Sequence, residues 1–209
     1  MVLAGIKVTD STLVCDAIDL SRSSLEPYLF NHVMRSWLFG ILLSEGAELV
    51  PDPELLAVSA VLHDLGLSDH YTAENRFEVD GANAARAFLK DRGISTQQTQ
   101  VVWDAIALHT TPSIAPHKEP EVAMTHLGIT VDVIGIGLDR IPQDKQRAVL
   151  TEFPRLAFKN QFKDCLCSVI RKKPATSFDN VLRDFGGRYV GGFTAPSFAD
   201  LFANAPFSE

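Results

Sequence analysis

Helix start and stop signals recur along this chain with little between them that reads as strand, and that confines it to an all-α fold. In "PDPELLAVSAVLHDLG", residues 51–66, Asp52 can cap a helix, Pro53 can take its first position and Gly66 follows its end. Residues 25–45 carry apolar side chains at three- and four-residue spacing between Pro27 and Gly46. Residues 78–92 are rich in alanine and stop at Gly93. Ser95 and Gln98 fit a capping box that opens a helix running to residue 109, before Pro112. Further helices are expected over 119–138, 143–153, 157–172 and 177–185. "GGRYVGGF", residues 186–193, is the extended candidate, and its glycines favour a loop that packs back on the body.

No repeat, low-complexity tract or linker divides the chain. "HTTPSIAPHKEPE", residues 109–121, is too short to separate domains and reads as a loop near a site. The expectation is one domain over 1–209, with a core over about 20–190 and a C-terminal tail packed on it.

Composition narrows the function. A net charge of −7 argues against a general nucleic-acid binder. The longest basic run, "RKK" at 171–173, reads as a helix C-terminus. Cys15, Cys165 and Cys167 are odd in number and badly spaced for a disulfide framework, so they are expected to pack as small apolar residues. The first twenty residues make no convincing signal peptide, and no apolar run is long enough for a membrane span. A cytoplasmic protein acting on a small molecule is expected, with no nucleic-acid or membrane partner; a homo-oligomer is compatible with this reading.

Against that background "GITVDVIGIGL", residues 128–138, poses a question: Asp132 sits in an almost wholly apolar run. A buried carboxylate without a partner costs several kcal/mol. It can be neutralised, paired with a basic side chain, less buried than its neighbours, or set beside a cation. His63 and Asp64 end an apolar helix, and neighbours on a helix point about 100° apart. Both can reach one cation only if it lies close to the helix and between them. His32 lies in the first long helix, with Arg35 and Ser36 one turn on. Imidazole nitrogens and carboxylate oxygens together suit zinc, iron, manganese or nickel.

The order His, His-Asp, Asp on successive helices resembles the HD-domain metal-dependent hydrolase superfamily. "FNHVMRSWLFG" (30–40), "AVLHDLGL" (60–67), "RFEVDGANAARAFL" (76–89), "VVWDAIALHTT" (101–111) and "GITVDVIG" (128–135) together resemble its cyanamide hydratase-like branch, and "KPATSFDNVLRDFG" (173–186) fits it too. The resemblance implies His32, His63, Asp64 and Asp132 as ligands of one divalent metal, zinc first and iron second. Phe77, Glu78 and Thr110 stand where dinuclear relatives place further histidines, which favours a single ion.

The same resemblance implies addition of water to a small nitrile-type substrate, cyanamide giving urea. His109 is the expected proton donor. Asn31 and Thr111 are expected to orient substrate, and Asp64 joins them in the catalytic set. Arg35 is expected to pair with Asp64, Glu78 or Asp80. Phe39, Phe77, Trp103 and Phe162 are candidates for shaping the pocket, while His70, His117 and His126 read as loop or surface residues. The alternative is an HD-type phosphohydrolase acting on nucleotides or another small phosphate ester; a third class is a catalytically silent partner-binding protein.

Overall fold

Every residue of one helix, from Leu55 to Leu62, is buried, because its sequence "LLAVSAVL" is apolar on all sides. Five other helices pack around it. The computed structural model describes residues 1–48 and 50–207. A two-residue antiparallel hairpin, β1 (Val2–Leu3) and β2 (Ile6–Lys7), precedes α1 (Thr12–Ser24), α2 (Pro27–Ser44) and the central α3 (Pro53–Leu62). Then follow α4 (Phe77–Lys90), α5 (Thr96–Ala107), α6 (Pro120–Ile134), α7 (Gln143–Glu152), α8 (Phe158–Lys172), α9 (Leu182–Tyr189) and α10 (Phe198–Ala203). The expected all-α fold is the observed one. Helix α3 packs against α1, α2, α4, α5 and α6.

Capping accounts for several boundaries. Asp52 accepts from the backbone N–H groups of Glu54 and Leu55 at 2.8 and 3.1 Å, and Pro53 opens α3. Ser95 accepts from Gln98 N at 3.3 Å at the start of α5. Pro27 opens α2 as expected, and Lys172 closes α8.

The largest interhelical packing joins α2 to α6, and it rests on a glycine. A Cβ at Gly128 would stand 2.2 Å from Ser36 O and 2.8 Å from Gly40 N, so only glycine lets the two backbones come this close. The helices run antiparallel through this crossing. Asp132, one turn beyond Gly128, is thereby carried to His32, one turn before Ser36, and to Arg35 next to Ser36.

Four local expectations change. Helix α1, capped by Ser11, and the hairpin before it were not foreseen. Residues 186–189 belong to α9 rather than to an extended stretch, although Phe193 does fold back onto the α9 backbone at Gly186. The tail packs on the body only at its start, through Phe193, and residues 198–207 are all exposed. Cys167 is buried and Cys165 half-buried, but Cys15 is exposed. Among the described residues no helix is long and apolar enough to cross a membrane.

Candidate metal centre

At the end of α3 the backbone leaves helical geometry one residue after His63. Asp64 has φ −100° and ψ 11°, and a 3-10 turn follows over Leu65–Leu67. That departure resolves the 100° mismatch expected between neighbours, because both side chains can now face one point. Gly66 locks the turn against α4, since a Cβ there would lie 2.0 Å from Phe77 O. Its role is close approach to α4, and it does not simply end α3 as the sequence predicts.

His32, His63 and Asp64 converge, all fully or almost fully buried. The Nε2 atoms of His32 and His63 are 3.2 Å apart, and Asp64 Oδ2 lies 3.6 and 3.4 Å from them. The opposite ring nitrogens fix which atoms carry protons. His63 Nδ1 lies 2.7 Å from Ala60 O, and His32 Nδ1 lies 2.6 Å from Asp132 Oδ2. Those oxygens can only accept, so both Nδ1 atoms donate, and in the neutral imidazoles that a metal would bind both Nε2 atoms present lone pairs. Asp64 Oδ2 itself has no hydrogen-bond partner. Three acceptors therefore face one another in a buried place with nothing donating into it. This donor set fits a divalent cation, two imidazoles and one carboxylate being ligands that borderline ions take.

The electrostatics keep Asp64 negative with positive charge favoured beside it. Burial raises the Asp64 carboxyl, but His63, His32 and His109 outweigh it and hold the group well below the usual carboxylate range. Burial pulls the His63 imidazole down, yet adjacent Asp64 leaves it raised overall. His32 has less to offset its burial and ends up lowered.

Asp132 is corrected from the fourth ligand to the support behind one. It is buried and bound on four sides, with Arg35 Nε and Arg155 Nη1 on Oδ1 at 2.6 and 3.0 Å and Arg35 Nη2 and His32 Nδ1 on Oδ2 at 2.8 and 2.6 Å. Its lone-pair positions are all taken, and it meets the nitrogen of His32 that points away from the cluster. Burial raises this carboxyl too, but His32 and Arg35 hold it far below its ordinary range. Arg35 thus pairs with Asp132 rather than with Asp64, Glu78 or Asp80.

Beside the cluster opens a cavity of about 490 Å³, and His32, His63 and Asp64 line it. Phe77 and Phe162 shape it as expected; Phe39 and Trp103 do not, while Leu166, Val181 and Phe185 from the C-terminal helices do. His109 lines it, its ring centroid 4.9 Å from that of His63. Its Nδ1 donates to Ile106 O at 2.6 Å, which leaves Nε2 bare. Burial, with His63 beside it, pushes its pKa down to about 4. His109 is thus neutral near pH 7, with Nε2 free to accept a proton before it can donate one.

Asn31 and Thr111 do not line the cavity. Asn31 donates to Pro154 O at 2.8 Å, and it is Thr110, next to Thr111, that lines the cavity. Thr110 Oγ1 donates to the buried Glu78 at 2.7 Å, and Arg76 and Asn180 donate to the same carboxylate at 3.0 and 3.3 Å. His126, expected at the surface, is buried, donates Nδ1–H to His109 O at 2.7 Å and lines the cavity. Its place one turn before Thr130 on the apolar face of α6 is the signal that could have found it.

The protein-family model described as HD domain matches residues 29–134, a span that begins in α2, ends with α6 and contains His32, His63, Asp64, His109 and Asp132. Among curated proteins no match to the chain is found.

Proposed function

Because the chain belongs to the HD domain family of metal-dependent hydrolases, we propose that it adds water to a small uncharged substrate of the nitrile type, cyanamide giving urea being the leading reaction. One observation carries the choice. Among the described residues no lysine or arginine lines the cavity beside the cluster, whose walls are mostly aliphatic and aromatic. A site for phosphate esters gathers cations around the anion. Arg35, the cation that would favour a phosphate, is fully buried and bound to Asp132.

His32 Nε2, His63 Nε2 and Asp64 Oδ2 would hold the ion, which we propose to be one zinc per chain, with iron the alternative. When bound, such an ion supplies Lewis acidity that brings the pKa of a water down to about 7. Asp132 accepts the Nδ1–H of His32 and so keeps its Nε2 lone pair turned to the cluster. Phe158, its ring centroid 4.8 Å from that of His32, and Phe162, stacked on Phe158, exclude bulk water on that side.

His109 Nε2 takes a proton from the attacking water as its oxygen bonds to the nitrile carbon. The imidazolium then returns that proton to the nitrile nitrogen, giving an isourea that tautomerises to urea. Glu78 sets the rotamer of Thr110, leaving the hydroxyl oxygen to accept a hydrogen bond from a substrate amino group. The test is a urea-release assay with cyanamide on metal-loaded protein, run beside a nucleotide panel scored for phosphate. Urea without phosphate is expected; phosphate without urea overturns the reading.

A further inference from the structure

Two apolar features of this molecule have no partner, and they match each other. The first is α10 and the residues after it. Phe198, Leu201, Phe202 and Phe207 are 81, 61, 76 and 85% exposed, which no isolated short helix sustains in water without a use. The second is a groove of about 320 Å³ formed by the end of α6, α7 and the start of α8. Phe39, Leu138, Leu150 and Ile134 give it an apolar lining, while Arg155 and Lys159 supply positive charge. Ile134 and, just beyond it, Ile136 are each 65% exposed.

We propose that α10 of one copy docks in this groove of a second copy, and the reverse, giving a two-fold dimer by exchange of tails. Charge complementarity commits the groove to this occupant: residues 190–207 contain Asp200 and no lysine, arginine or histidine, and in the groove, where Asp132 and Arg155 pair with each other, Lys159 is left to meet it. Area supports it as well. Three phenylalanines per tail, at about 150 Å² or more each and counted twice by symmetry, approach the ~1,000 Å² that a specific interface needs, before the groove side is added.

The docking bears on the centre. Val133 and Ile134 border both the groove and the cavity beside the His-Asp cluster. Arg155, which donates to Asp132 Oδ1 at 3.0 Å with its side chain 33% exposed, would be covered by the docked helix. The second copy thus closes one edge of the site and shields the ion pair that supports His32.

Sedimentation equilibrium of the full chain at micromolar concentrations tests this. A dimer is expected, and Phe198→Ser with Phe202→Ser should weaken it by roughly tenfold or more. Lys159→Glu and Asp200→Lys should each weaken it, and the two together should restore it, while every variant keeps its helical spectrum. A monomer throughout, which includes the tail folding onto its own groove, overturns the proposal. So does a dimer indifferent to the phenylalanine changes, or one that the paired charge reversal fails to restore.

Discussion

Arg35 grips Asp132 by both carboxylate oxygens, Nε to Oδ1 at 2.6 Å and Nη2 to Oδ2 at 2.8 Å, in a place closed to solvent. This pairing answers why a carboxylate lies in an apolar helix, and it separates two kinds of support for the centre. Asp132→Asn keeps the shape but removes the charge. It should weaken metal binding by about 10–100-fold without abolishing it, the size of effect seen when a group behind a ligand is lost. It should also destabilise the fold by about 3–5 kcal/mol, because Arg35 stays buried without its counter-charge. Metal competition titrations and thermal melts of the two proteins check both. A complete loss of metal with unchanged stability would make Asp132 a direct ligand.

We expect His109 to contribute its Nε2 lone pair and not a ligand bond. His109→Ala should leave metal content unchanged and lower kcat by about 10²–10⁴-fold, the range for general acid–base groups. Metal analysis alongside steady-state kinetics checks this, and a metal-free variant would contradict it.

Gly66 has no room for a side chain against Phe77 O. Gly66→Ala must push the Leu65–Leu67 turn off α4 and carry Asp64 with it. We expect a loss of about 3 kcal/mol or more, at the upper end of overpacking effects, together with weaker metal binding. A melt within error of the parent would show that the turn can give way.

Much of this architecture was legible because local chemistry and tertiary structure agree. Asp52, Pro53, Ser95 and Pro27 mark helix starts with side chains and rings that act within one turn. His32, His63 and Asp64 stood out as ligating types at the ends or on the faces of apolar helices. What stayed hidden depends on contacts between distant helices. The partner of Arg35 is 97 residues away, and its identity is decided by the Gly128 crossing. Which nitrogen of His32 faces the cluster depends on that same crossing. His126 and Thr110 turn inward only because α5 and α6 meet beside α4. Helix α1 was readable in principle, since its buried residues Leu13, Val14, Ala17, Ile18 and Ser21 recur at three- and four-residue spacing after the Ser11 cap. Helix α10 is too short, and too exposed, for periodicity to declare it.

Three potential ligand atoms, His32 Nε2, His63 Nε2 and Asp64 Oδ2, meet within 3.6 Å of one another. The direct measurement is metal stoichiometry of the purified chain and of His63→Ala after equilibration with the same zinc buffer. One equivalent in the parent is expected, with little or none in the variant at an unchanged helical spectrum. One equivalent in both, held equally tightly against chelator, would mean that the metal lies elsewhere and that this cluster does not hold it.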